Sequence, residues 1–405
     1  MTGASKSVTV AILIDAFRYD MLGKDTPFLS KMAEKGVTGR LVPPLGYCLH
    51  PTWFAGLYPE KSDKFLLHIY SPQTSPYKRM KLLSFLERRN KLTRVLGGFL
   101  GNHVFHLPGF ASYIPQSSLK NFDIAEKLPP WDPQFLPEVE TLFDIFEKNN
   151  VRWLFIGSPG SDQRTDRIVA KFQKEVVKKP AFVWLHFAEV DWFCHSFGPS
   201  SLQSKHALTG VDIAVEKIFS HLLQVYDEVN MVVFGDHGHV PVSYTVDIEK
   251  ILRKTSLRLN DDYVYFLDST IARFWVKNEQ VQNELERILS DLTSGHLLST
   301  QYLKEQNCNF TNLSHGQIFW AVNEGYVILP NFWQGGAEVR GMHGYLPDVK
   351  DNHSRFVISG PKVRKIGTVA KNCALVDLFP TFLDLMNLPI PSSSAGTSIL
   401  RYGVM

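Results

Sequence analysis

Few cysteines, no concentrated charge and no long apolar run characterise this chain. Its four cysteines, Cys48, Cys194, Cys308 and Cys373, are far apart and form no Cys-x-x-Cys pair. That spacing excludes a disulfide framework and a thiolate zinc site. Basic and acidic side chains nearly balance, 43 against 40, for a net charge of +3. A nucleic-acid binder carries a marked basic excess, so no nucleic-acid polymer is expected as a partner. No apolar segment approaches the roughly 20 residues of a membrane helix, and no transmembrane segment is expected. The stretch Met1–Ser7 is short and polar. It lacks the apolar region and cleavage site of a secretory signal, so the cytoplasm is the expected location.

What the chain does have is an ordinary globular balance, with 44% hydrophobic and 20% charged residues over 405 positions. That length allows a large core. Apolar, β-rich runs occur at Val8–Ile14, Arg152–Ile156, Ala181–Phe187, Asn230–Phe234 and Arg355–Ser359. Continuous apolar strands suit a sheet covered on both faces. Helical patterns lie between them, at Thr26–Gly36 with Gly36 at its C-cap, at Glu138–Asn149 and at Gln203–Tyr226. The alternation predicts an α/β fold, a mainly parallel central sheet flanked by helices. Two stretches interrupt it, residues 61–135 and 245–335, the second with a helical pattern at Gln280–Leu292. Sheet elements flank both, so residues 1–405 read as one domain with two lid or cap insertions. Residues 78–94 carry seven basic residues, one acid (Glu87) and interleaved leucines. They read either as a solvated helix face or as a lid for a bulky or lipid-like anionic substrate.

In an open α/β sheet, ligands sit at the carboxyl ends of the strands. Asp15 follows the first apolar run, Asp191 and His195 the third, and Asp236 and His237 the fourth. His343 lies in the Gly-rich turn Gly341-Met-His-Gly-Tyr345. Each alone would pass for a cap or a hydrogen-bonded core residue. Together, three carboxylates and three imidazoles suit zinc or manganese without a thiolate. Six ligands divide into two groups of three, leaving open positions on each of two divalent metal ions. Such a pair clamps the attacking and leaving oxygens of a phosphoryl transfer.

These residues sit in longer motifs. ILIDAFRYD around Asp15, TPFLSKMAEKG and GLYPE at 56–60 resemble the opening of the alkaline phosphatase superfamily, in its type I phosphodiesterase/nucleotide pyrophosphatase branch. AEVDWFCHSFGP at 188–199, FGDHGH at 234–239, MHGY at 342–345 and ALVDLFPTFLDLMNLPIP at 374–391 resemble later segments of that branch, in the same order. The resemblance covers residues 8–60, 181–240 and 338–400; the two insertions have no match. It implies that Asp191, His195 and His343 hold one metal, and that Asp15, Asp236 and His237 hold the other.

The nucleophile departs from the pattern. The branch places a Thr, Ser or modified Cys about ten residues before the Gly of GLYP, where this chain has Gly46. The segment reads Gly46-Tyr-Cys-Leu-His-Pro-Thr52. Pro favours the first helical position, so a helix is expected from Pro51, with Cys48 in the turn before it and helix-start N–H groups free for a phosphate. A thiolate there would be acidified by the helix end and the metals. Thr52 is the rival nucleophile, and a metal-bound water is the third option. His50 is a candidate hydrogen-bond donor to a phosphate oxygen, and His239 a supporting residue behind the ligands. The formylglycine signature Cys-x-Pro-x-Arg of sulfatases is not met. The expected function is two-metal hydrolysis of a small-molecule phosphate ester, at a diester or pyrophosphate bond. The rivals are a phosphomonoesterase, sulfatase or head-group transferase on the same site, and a metal-binding protein with a decayed site.

Overall fold

The computed structural model describes residues 6–78, 114–157 and 164–405. Of the basic stretch at 78–94, everything beyond Lys78 lies outside these residues. The central sheet has eight strands: β1 (Ser7–Ile14), β2 (Val37–Val42), β3 (Trp153–Ile156), β4 (Phe182–Phe187), β5 (Glu228–Phe234), β6 (Ser354–Ser359), β7 (Gly367–Thr368) and β8 (Cys373–Ala374). Their order is β7-β2-β6-β5-β1-β4-β3, with β8 also on β2. Only β6 runs antiparallel to its neighbours β2 and β5. The expected architecture is therefore the observed one.

Side-chain alternation along β1 divides the core. Val8, Val10, Ile12 and Ile14 pack on one face, against α1 (Pro27–Glu34), α4 (Thr165–Glu175) and α6 (Leu202–Val225). Ala11 and Leu13 pack on the other, against α2 (His50–Ala55), α3 (Leu142–Lys148) and α7 (Leu378–Met386). All of these β1 side chains are essentially fully buried. Burying both faces is what makes the strands read as unbroken apolar runs. Each large aliphatic or aromatic side chain so buried contributes about 1.5–3 kcal/mol.

A second, antiparallel sheet forms from Tyr263–Leu267, Ile271–Val276, Ile318–Val322 and Gly295–Leu297. Helix Glu279–Ser290 covers it, started by the Asn278 side chain, which accepts from the Val281 N–H. Its core holds Phe266, Phe274, Leu285, Leu289 and Trp320. The ladder of His68–Tyr70 with Phe122–Ile124 packs on the same sheet. The Phe122 ring meets Phe266 at 5.1 Å and Tyr70 stacks on Trp275 at 5.2 Å. The two interrupting stretches thus contribute to one layer.

Local boundaries differ from expectation for identifiable reasons. The helix expected over 138–149 starts at Leu142 because Thr141 closes a capping box with Asp144. Helix α2 starts at His50, one residue before Pro51. Gly36 is not a left-handed cap: α1 ends at Glu34 with Lys35 as its cap, and the absence of a side chain at Gly36 serves close packing instead. A Cβ there would lie 2.2 Å from the Ile358 carbonyl oxygen of β6. Gly36→Ala should destabilise the protein by about 2 kcal/mol through overpacking, read as a fall in urea midpoint at unchanged slope.

Candidate metal centre and cavity

Parallel pairing brings the strand ends to one level. Ile14 of β1 is opposite Phe187 of β4, and Leu13 is opposite Phe234 of β5. Asp15, the segment before Asp191, and Asp236 therefore emerge along one edge. Helix α5 (Glu189–Phe197) starts directly after β4, and its i,i+4 spacing puts Asp191 and His195 on one face. His343 arrives by a short antiparallel pairing of Met342 with Val240, next to the His237–His239 turn. Gly238 in that turn has no room for a Cβ, which would lie 2.3 Å from the Asp351 carbonyl oxygen.

Two groups of donor atoms converge. Asp15, Asp236 and His237 form one, and Asp191, His237, His239 and His343 the other. His237 Nε2 lies 3.4 Å from both Asp15 Oδ1 and Asp236 Oδ2. His195 Nε2 is 3.4 Å from Asp191 Oδ1, while His343 Nε2 is 3.8 Å from it. His237 and His343 stack at 3.7 Å. The Nδ1 of His195 donates to the Gly341 carbonyl and that of His237 to the Gly238 carbonyl, each at 3.0 Å. These bonds turn the two Nε2 atoms toward the carboxylates, the usual way a metal-binding imidazole is oriented. His239 is fully buried and donates through Nε2 to Asp191 Oδ1 at 2.8 Å, holding that carboxylate.

The sequence reading passed over His186. It donates to Asp15 Oδ2 at 3.0 Å from the last turn of pleat in β4. The clue was a histidine within an apolar strand, paired in register with Leu13, two residues before Asp15.

The electrostatics call for a cation. Burial first, then the charge of Asp15, pushes the Asp236 carboxyl up to about 7. Burial would raise Asp191 too, but the adjacent His195, His239 and His343 outweigh it and hold the carboxyl well below its usual range. Burial and the charge of His237 drive His343 well below an ordinary imidazole, and burial takes His239 down to about 4. Burial would lower His237, but the charges of Asp236 and Asp15 outweigh it and raise it. Neutral imidazoles at His239 and His343 beside an ionised Asp191 are the protonation states that a divalent metal requires. The donor set fits divalent metal binding, with His237 common to both groups.

The centre opens into a cavity of about 530 Å³, lined by Asp15, Asp191, Asp236, His237 and His343 on one side and by Cys48, His50, Glu126 and aromatic rings on the other. Cys48 thus reaches the cavity. Its thiol is pushed up by burial and by the charge of Glu126, so the protein alone does not acidify it. The N–H groups of Tyr47 and Cys48, in the turn before the helix, both donate to the Phe65 carbonyl. Thr52 is buried and donates its hydroxyl to the Leu57 carbonyl at 3.1 Å, away from the cavity lining. That position argues against a nucleophilic role. His50 Nδ1 sits 2.9 Å from Glu126 Oε2, a partner the sequence did not suggest.

The family model for type I phosphodiesterase / nucleotide pyrophosphatase matches residues 9–81 and 100–346. The chain belongs to this family. Its metal dependence agrees with the donor cluster. Human ectonucleotide pyrophosphatase/phosphodiesterase family member 5 is 25% identical over 231 residues, 55% of this chain and 46% of that relative. The chain thus matches less than half of that relative's length. The solved structure of the human protein superposes with a TM-score of 0.72 at 18% identity, covering 96% of this chain and 97% of the other. An inactive threonine-to-alanine form of the murine protein, in complex with AMP, gives 0.70 at 18% identity, covering 95% and 96%. At this identity the superpositions show a shared fold.

One expected outcome follows from the crowded carboxylates. In chelator-treated protein at pH 8, Asp236→Asn should raise Tm, because the wild-type carboxyl is ionised above its raised pKa while the amide oxygen still accepts from Ala16 and His237. At pH 5, where the wild-type carboxyl is protonated, the gain should vanish. The same substitution should erase the Tm increase that zinc produces in the wild type, all by scanning calorimetry.

Proposed function

We propose that this protein hydrolyses phosphate diesters at a two-metal centre. Asp191, His195 and His343 would hold one ion and Asp15, Asp236 and His237 the other, zinc or manganese in both cases. The observation that carries the reading is the convergence of Asp15, Asp191, Asp236, His237 and His343 with Cys48 on one cavity; His195 lies behind it, 3.4 Å from Asp191. Bound divalent ions supply positive charge that lowers the pKa of a nearby nucleophile and screens a transferring phosphoryl group.

The protein's own residues then have distinct tasks. His186 orients Asp15, and His239 orients Asp191. Cys48 is the candidate nucleophile, because the hydroxyl of Thr52 is already donated to a carbonyl. Loss of a single threonine accompanies inactivity in the murine relative, which supports a side-chain nucleophile in this fold. The Cys48 sulfur would form a bond to phosphorus as the alcohol leaves with the thiol proton. Water would then cleave the S–P bond and restore the thiol. Glu126 and His50 face the same space and would contact the organic part of the substrate.

The test uses a monoester and a diester with the same 4-nitrophenyl leaving group, on zinc- or manganese-loaded protein. The diester should be preferred, and His343→Ala should abolish turnover together with one equivalent of bound metal. Cys48→Ala should lower kcat at least about a thousandfold, and rapid quenching of the wild type should trap a phosphoryl adduct on Cys48 by mass spectrometry. A Cys48→Ala enzyme within threefold of wild type would assign the attack to water instead.

A further inference from the structure

The large cavity has a neighbour. A second cavity of about 220 Å³ is lined by Tyr47, Asp268, Ser269, Trp333, Met342 and His343, among others. Tyr47 and His343 line both cavities, so they form the shared wall, and the metal-binding imidazole faces two spaces. The second space is built largely by the 245–335 stretch, for which the sequence offered no role.

Its wall is held in place. The Tyr47 hydroxyl donates to Asp268 Oδ1 at 2.6 Å, and Trp333 Nε1 donates to the same oxygen at 3.0 Å. Arg273, fully buried behind, donates through Nε to Asp268 Oδ2 at 3.2 Å. The Tyr47 and Trp333 rings meet edge-on at 5.9 Å. Ser269 donates to Gln334 Oε1 at 2.8 Å and Thr270 to the Gly344 carbonyl at 2.6 Å. These polar groups are thereby paired within the protein, and Met342, Trp333 and the Tyr47 ring are left to meet a ligand. Among the described residues no lysine or arginine lines this space. In the large cavity the lining lysine, Lys127, is 2.6 Å from Asp123, and Glu126 adds a carboxylate.

We propose that the second cavity receives the second organic group of a phosphate diester, an uncharged apolar or aromatic group, while the first group occupies the large cavity. The proposal rests on the phosphate-ester reading above and narrows it. A phosphorus bound beside His343 has room for substituents on both sides, which a diester fills and a monoester does not. A second phosphate, as in a pyrophosphate, would approach Asp268 or Glu126, and among the described residues lining the two cavities no unpaired lysine or arginine offsets the repulsion. Apolar contact with Trp333 and Met342 has no such cost.

The test separates binding from turnover. Diphenylphosphinate and methylphenylphosphinate are non-hydrolysable anions that differ in one group. Titration calorimetry on the zinc-loaded protein should find the diphenyl ligand at least tenfold tighter. Gln334→Trp, which fills the cavity from a partly exposed loop, should cut that ratio at least fivefold, and Ser269→Leu should do the same. Retained zinc-induced stabilisation would show that the variants fold. Equal affinities in the wild type, or a ratio untouched by both variants, would overturn the proposal, as would tighter binding of diphenyl pyrophosphate than of diphenylphosphinate. Phenyl and methyl 4-nitrophenyl phosphates run in parallel: the binding ratio without any hydrolysis would refute the hydrolase reading alone, and hydrolysis without the ratio would refute the subsite alone.

Discussion

Everything at the centre depends on the parallel register of β1, β4 and β5. Parallel hydrogen bonding holds three strand ends at one level, so the residues just beyond them meet without further arrangement. Asp15 and Asp236 leave their strands side by side, and α5 carries Asp191 to the same edge. Cover on both sheet faces makes this register rigid. A slip of one residue would turn Val10 and Ile12 toward the wrong set of helices. The precision of the site is thus inherited from the apolar core beneath it.

That rigidity has an electrostatic consequence. Burial, and then the charge of the nearby Asp15 that cannot move away, raise the pKa of Asp236. Hydrogen bonds from His186 and His239 fix the orientation of the acids; burial keeps His239 neutral, whereas the hydrogen bond to Asp15 and its charge outweigh burial at His186 and raise it. The centre trades stability for readiness to bind cations. The layer built from the two interrupting stretches adds shape. It supplies Asp268 and Arg273, which fix Tyr47, and Glu126, which faces His50. The acids and imidazoles of the centre and the shape around them therefore come from different parts of the chain.

Much of this was legible in the sequence. The five apolar runs, the three main helical patterns and the polar residues after the strands carry local signals: periodicity, caps and turn chemistry. The six candidate ligands were visible because each follows a strand or sits in a Gly-rich turn. Strand β2 was missed because Val37–Val42 includes Gly39 and Arg40 and lacks a continuous apolar pattern. His186 was missed because its one mark in the sequence, a histidine inside an apolar strand, does not reveal the register that sets it beside Asp15.

The sequence by itself determined the strand–helix alternation, hence the α/β class, and the inventory of acids and imidazoles at the strand ends. These depend on neighbours along the chain, whose physics is local. Only the tertiary structure decided which groups meet: that His239 serves Asp191, that Thr52 spends its hydroxyl on Leu57 while Cys48 reaches the cavity, and that Tyr47 leans on Asp268, 221 residues away. Contacts across such separations are set by packing and register, which no window of sequence contains.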